Sequence, residues 1–421
     1  MTSPIRLREQ FAEKVRGRNE FIRELCIQLV RINSENPPGD THALASHIES
    51  ILTNVPGMRI EKLIAKEPIA NLVIRLPFQR VGRTLVVNGH LDTFPIGDPG
   101  AWTVDPLGGV IAEGRLYGRG AGDMKAGLAT AITTALLLAD ERDHLRGELV
   151  LALVGDEETG GKWGTTFLLD NVPIALGDAM LSGDAGSPHV IRFGEKGLLW
   201  IEVIAKGISN HGAHVHLGVN ANDALLQAVQ RIFSLRNVKC AVPDLIRHAM
   251  EEAKSVSEGF SGKGEFDTLN TITVNLGYIE GGSSINIIAD HARALLDIRL
   301  PPGVSVKDTM ASVKAMLDPY SNVEWRVLSS CEPNITDPNH EIVQLTLSNA
   351  QELLGKDTIA SNMRVGMSDA RLYRARGVPA VVYGPTPYNM GGGDEYVELN
   401  DLFSVLYVHA MTAYDYLSRD S

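Results

Sequence analysis

Two stretches decide the fold: TLVVNGHLDTFP at Thr84–Pro95 and ELVLALVGDEETGG at Glu148–Gly161. In each, a short continuous apolar run, the mark of a buried strand, stops at glycine, and acidic or imidazole side chains follow at once. Between them GAGDMKAG at Gly120–Gly127 opens the helix-like run MKAGLATAITTALLLAD. Strand, helix and strand in that order imply a mostly parallel sheet flanked by helices. In open sheets of this kind chemistry collects past the carboxyl ends of the strands, which makes His90, Asp92, Asp123, Glu157 and Glu158 candidates for one site. One histidine among several carboxylates is a ligand set for a divalent metal, and a spare carboxylate can act as general base. The local alternative is that Asp and Glu after strands cap helices, and Asp123 by itself reads equally as an N-cap. Three segments with the same order and flanking glycines favour the site, since close backbone approach to an ion needs the missing Cβ.

Working outward, the alternation of helix-like and strand-like pieces runs from Asn19 to about Leu199. NEFIRELCIQLVRI and THALASHIESILTNV carry apolar residues at helical spacing on either side of the break NPPGD. Strands are expected near Asn71–Leu76, Thr84–Asn88 and Glu148–Val154. The middle third reads as an α+β unit with two helices on one face of a small antiparallel sheet: strands LLWIEVIAKG, TITVNLGYIEGG, ARALLDIRL and NVEWRVL, helices ANDALLQAVQRIFSL and VSVKDTMASVKAML. Arg247–Phe266, polar and glycine-containing, reads as a surface insertion. After Pro333 the first pattern returns with a helix at His340–Leu354, the strand PAVVYG and a last helix at Leu402–Leu417. The expected organisation is a catalytic domain over 1–198 and 333–421, interrupted by an inserted unit over 199–332.

A chain of 421 residues, 44% hydrophobic and 21% charged, describes a globular protein of two or three domains. A formal net charge of −12 argues against nucleic acid and anionic membrane surfaces as partners. No apolar run has the length of a membrane span, and the charged start MTSPIRLREQFAEKVRGRNE lacks a signal-peptide core. Cys26, Cys240 and Cys331 are scattered and not at metal-binding spacing, so a cytoplasmic protein with reduced thiols is expected.

With these residues assembled, the chain resembles nearly end to end a zinc-hydrolase family that includes aminoacylase, acetylornithine deacetylase, succinyl-diaminopimelate desuccinylase and carboxypeptidase G. The resemblance implies a three-layer α/β sandwich with an inserted α+β lid and dimerisation domain. GHLDTFP would supply the ligand His90 and Asp92, which orients that imidazole. GRGAGDMKAG would supply the bridging ligand Asp123, GDEETGG the general base Glu157 and the ligand Glu158, and SGDAGSP a further ligand, Asp184. SNHGAHVHLGVNAN resembles the stretch whose first histidine, here His211, reaches a partner subunit's active site. His214 and His216 in the same stretch read as surface or core residues. GGSSINIIADHARALLDIRL would provide Asn286 and Arg299 to hold a substrate carboxylate, a role that suits the planar guanidinium. The bland alternative for Arg299 is an ion pair with Asp297 or another acid. GMSDARLYRARGVPAVVYGP would place Gly366 and Ser368 in the substrate pocket.

One segment departs from the pattern. Relatives carry a histidine three residues before the acidic pair that precedes the last helix, whereas YNMGGGDEYVELND has Gly391 there. A second metal site built from Asp123, Glu158 and that histidine loses its nitrogen ligand, with Tyr388, Asn389 or water as substitutes. A first site of His90, Asp123 and Asp184 is intact. One or two ions are expected, Zn²⁺ by family and Mn²⁺ or Co²⁺ by the oxygen-rich donor set. The implied chemistry is hydrolysis of a C–N bond in a small carboxylate-bearing substrate by a homodimer. Glu157 would take the proton of the attacking water and His211 would assist the developing oxyanion. Two reactions fit beneath that level: deacylation of an N-acyl amino acid, or deamination of an aromatic amine such as 5-nitroanthranilate, a substrate of one branch of the family. The alternatives are an exopeptidase and a non-catalytic dimer that binds a small carboxylate; Glu157, an acid beyond what ligation needs, speaks against the latter.

Overall fold

The computed structural model describes residues 3–419 of the chain. Two compact units result: the larger comprises 1–193, 336–362 and 367–421, the smaller 194–335 and 363–366. The larger is built on a mixed sheet whose centre is parallel. Strands Arg146–Val154, Arg80–His90, Ala179–Ser182 and Ala380–Val382 lie side by side in that order and all run the same way. Ile69–Pro77 and Arg59–Lys66 extend one edge antiparallel, and Val190–Glu195 extends the other. Arg146–Val154 is buried without interruption from Glu148 onward, as a strand covered on both faces must be. Val150, Ala152 and Val154 pack with Leu168, Ala370 and Tyr373 on one face. The Ala126–Ala139 and Leu399–Ser418 helices pack against each other and against the sheet. Ala126–Ala139 is buried almost all round, which its run of alanine, leucine and threonine permits.

A separate three-stranded sheet joins distant segments of this unit. Arg115–Tyr117 pairs with Val110–Ala112 and also with Tyr396–Glu398. That pairing carries Glu395 to the segment that leads into Asp123.

The smaller unit is a four-stranded antiparallel sheet in the order Thr273–Gly281, His291–Leu300, Gly197–Lys206, Val323–Cys331. Its buried face packs on helices Ala221–Phe233 and Val306–Leu317, whose contributions include Leu225, Val229, Ile232, Val313 and Leu317. His291–Leu300 alternates strictly between buried and less buried residues, the period-two pattern of a half-covered sheet. Gly194 and Ile335, the two ends of this unit's longer segment, are antiparallel register partners.

Arg247–Phe266 is not a loose insertion. Asp244–Ser261 is a helix that buries Ile246, Met250, Ala253 and Ser257, and Glu265–Asn270 forms a second short one. The spacing of four, three and four is helical, but the buried set includes Ala and Ser and its neighbours are charged, so the stripe does not stand out by hydrophobicity. Among the described residues no helix is long and apolar enough to cross a membrane.

Candidate functional site

His90 is the last residue of the Arg80–His90 strand, and Glu157 and Glu158 sit in the turn just past Val154 of the neighbouring parallel strand. The parallel register that pairs His90 with Val154 therefore brings the two motifs to the same sheet end. Asp123 arrives from the loop before the Ala126–Ala139 helix with φ −131° and ψ 96°, and its peptide bond to Met124 is cis. It is not a cap: the residue at the N-cap position is Lys125. Gly127, the second residue of this helix, lies against the loop that carries Asp184, where a Cβ would stand 2.3 Å from the Gly183 carbonyl oxygen.

Single ligand atoms of His90, Asp123 and Glu158 lie within 4.8 Å of one another, the one such group of three among the described residues. His90 Nε2 is 2.9 Å from Asp123 Oδ1. The other ring nitrogen is 2.8 Å from the backbone carbonyl of Asp92 and 3.6 Å from its carboxylate. That carboxylate is mainly engaged elsewhere. It accepts the backbone N–H groups of Glu157 and Glu158 at 3.2 Å each, and the Asn36 amide at 2.8 Å. Asp92 thereby ties the turn bearing both glutamates to the imidazole beside them. Asp184 is also buried, next to this group rather than within it; its charge acts on both glutamates.

Electrostatics marks the cluster as one that calls for a cation. Burial, reinforced by Asp369 and Asp184, pushes the Glu157 carboxyl well above its usual range. Burial and the Asp123 charge do the same to Glu158. Burial would lower His90, but its hydrogen bond to Asp123 overrides this and raises it. Glu158 Oε1 is buried and has no hydrogen-bond partner, a polar atom that the protein itself leaves unsatisfied. A group of one imidazole and two carboxylates with a spare oxygen fits a divalent ion.

Arg371 and Asn36 carry roles that sequence reading missed. The Arg371 guanidinium lies 3.7 Å from both Glu157 Oε1 and Asp369 Oδ1. Asn36 bridges Asp92 and Thr159, the latter at 3.1 Å. Each sits in a stretch already singled out, SDAR and NPPGD, but nothing local says that an arginine faces an acid more than two hundred positions away.

The remaining candidates are distributed between the two units. Ser368 is buried in the larger unit. His211, Asn286, Arg299 and Gly366 belong to the smaller one. There Arg299 pairs with Asp297 at 2.8 Å and 3.2 Å, the bland alternative realised. Asn286 is exposed and accepts from Ser284 Oγ. His211 is exposed and its ring accepts from the Ala213 N–H. Gly391 takes φ +73°, and a Cβ there would face the Phe94 ring at 3.7 Å. The two side chains considered as substitutes have other partners: the Tyr388 ring stacks on Tyr396, and the Asn389 amide donates to the Asp394 carbonyl.

A parallel-centred α/β sheet with this cluster at its strand ends defines a metal-dependent hydrolase. The chain belongs to peptidase family M20/M25/M40, whose model matches residues 86–415. Succinyl-diaminopimelate desuccinylase 1 of Ruegeria sp. (strain TM1040) is 30% identical, over 94% of this chain and 98% of the relative. A succinyl-diaminopimelate desuccinylase of Cereibacter sphaeroides is 29% identical over the same shares. Among solved structures, the M20 family metallo-carboxypeptidase of Sulfolobus solfataricus superposes with a TM-score of 0.77, covering 93% of this chain and 98% of that one at 19% identity. A Bacillus subtilis protein described as a dinuclear metal-binding peptidase of the M20 family gives 0.65 at 14% identity, covering 95% and 98%. These relatives agree with the site in making the chain a metal-dependent amidohydrolase.

Proposed function

We propose that this enzyme removes an acyl group from the nitrogen of a small, carboxylate-bearing amine. The observation that carries the proposal is Glu157, a half-buried carboxyl held well above its usual range, adjacent in sequence to the ligand candidate Glu158 yet outside the group formed by His90, Asp123 and Glu158. Desuccinylases at 29–30% identity support deacylation over aromatic deamination.

In this reading His90, Asp123 and Glu158, with Asp184 beside them, hold one divalent ion, and the single imidazole favours Mn²⁺ or Co²⁺ over Zn²⁺. When bound, the ion supplies positive charge that polarises the scissile carbonyl, eases deprotonation of water and returns the neighbouring carboxyls to their ionised forms. Glu157 takes the proton from the attacking water and passes it to the departing nitrogen. Arg371 steadies Glu157 through charge. Asn286 and Arg299 bind the substrate carboxylate, Arg299 exchanging Asp297 for it, and Gly366 and Ser368 are assigned to the substrate. His211 serves the active site of a partner subunit. Self-association is supported by apolar residues open to solvent around that histidine: Ile208, Val215, Leu217, Val219, Ile285 and Ile287. A cytoplasmic setting accords with scattered cysteines that call for no oxidising compartment.

The test is a screen of Mn²⁺-, Co²⁺- and Zn²⁺-loaded enzyme over N-succinyl and N-acetyl amino acids, dipeptides and aminobenzoates. Amine release from the acylated set, abolished by a chelator, is expected. Ammonia from an aminobenzoate would replace deacylation by deamination, and chelator-insensitive turnover would remove the metal from the scheme.

A further inference from the structure

The segment in which the histidine is missing has another attachment to the metal cluster. Glu395, four residues past Gly391, and Arg119, four before Asp123, form an ion pair at 2.5 Å with each side chain 1% exposed. The two carboxylate oxygens divide the work. One meets Arg119 Nη1; the other accepts the backbone N–H groups of Gly122 at 3.1 Å and Asp123 at 3.3 Å. Arg119 Nη2 donates to the carbonyls of Gly392 at 2.9 Å and Gly391 at 3.1 Å, and the guanidinium lies 5.1 Å from the Trp102 ring centre. The Glu395 carbonyl accepts the N–H of Gly118 at 2.9 Å.

A buried ion pair is a poor device for stability, because removing two charges from water offsets most of their attraction. Its hydrogen bonds indicate a more specific use. Gly122 stands in the first turn of its segment and Asp123 has non-helical backbone angles, so their N–H groups need an acceptor from elsewhere in the fold. Glu395, buried with its own counter-charge, supplies one oxygen to both. Arg119 Nη2 then fixes the glycine loop at Gly391 and Gly392.

We propose that Arg119 and Glu395 are a positioning pair for the metal ligand Asp123, setting its backbone and so the geometry it offers to the ion. Neither touches the ion or the substrate. This rests on the metal reading given above. Groups that orient a ligand from behind are commonly worth 10–100-fold in metal affinity.

The experiment titrates Mn²⁺ alone into the metal-free full chain and separately follows amide exchange over residues 119–126 without metal. Glu395→Gln removes the charge. Because it strands a buried guanidinium, the double variant R119M/E395M removes both charges together. Ile48→Ala, in a helix that bears no site residue, serves as the stability control. The expected result is Mn²⁺ affinity about 10–100-fold weaker in both pair variants, faster exchange at Gly122 and Asp123, and parent affinity in the control at a matched loss of melting temperature. Parent-like affinity in the pair variants, or equal weakening in the control, overturns the proposal. Parent protein that takes up no Mn²⁺ overturns the metal reading itself, while parent-like amide exchange overturns the anchor independently of it.

Discussion

The Arg371 guanidinium stands 3.7 Å from Glu157 Oε1, fixed there by the carbonyls of Ser368 at 2.7 Å and Gly160 at 2.9 Å. A cation clamped by backbone beside this half-buried carboxyl keeps it in place without consuming it in a tight hydrogen bond. Glu157→Gln is nearly isosteric and should keep both fold and metal. Turnover should fall by about two to four orders of magnitude, the usual worth of a positioned acid–base group. Metal titration alongside kcat checks both halves, and a kcat near that of the parent would remove Glu157 from the mechanism.

Metal stoichiometry is the second expected outcome. One ion per chain should be held firmly, because Gly391 offers no nitrogen and its neighbours Tyr388 and Asn389 are engaged with Tyr396 and Asp394. Glu158→Gln and Asp184→Asn should each weaken that ion. Two tightly held ions per chain, measured by titration and elemental analysis, would mean that another side chain has taken the histidine's place.

Stability should fall in mild acid, in part through His409. It is buried in the last helix, has one ring nitrogen 2.6 Å from the Tyr383 carbonyl, and is pushed by burial from 6.5 down to about 4. The unfolded chain therefore binds this proton first as pH falls, so stability from this group is complete above about 6.5 and drains away toward about 4. His409→Gln can still donate to the carbonyl but does not titrate. Parent stability should drop relative to the variant by about 2 kcal/mol between neutral pH and roughly pH 5, read from urea unfolding of metal-free protein. Parallel pH profiles would show that His409 is protonated alike in both states.

If His211 acts across subunits, two defective chains can complement. His211→Ala and Glu157→Gln homodimers should both be inactive. After subunit exchange about half of all dimers pair one of each, and these contain one site with a normal base and a normal partner histidine. Activity that fails to return after verified exchange would place His211 outside the partner's site.

The cluster was legible because its signal is short-range. Each strand end and its ligand fall within one short segment, and parallel pairing does the rest. Legibility ended where a role depends on partners distant in the chain. Asp92 reads as an imidazole orienter, yet its carboxylate mainly holds the turn of Glu157 and Glu158, a fact visible only once two strands are adjacent. Arg119 and Glu395 are 276 positions apart, and no spacing rule links them. The Asp244–Ser261 helix was obscured differently: its buried stripe runs through Ala253 and Ser257, too polar on average to look like a core face.

The pairing of Gly194 with Ile335 has a consequence at the level of the gene. Antiparallel partners stand about 5 Å apart, so the two ends of the smaller unit's longer segment can be bridged by a two-residue hairpin turn. A stretch of some 140 codons can thus be added, exchanged or deleted in one recombination event without rethreading any strand of the host sheet. Selection can retune what the insert recognises while the strand ends that gather His90, Asp123 and Glu158 are inherited untouched.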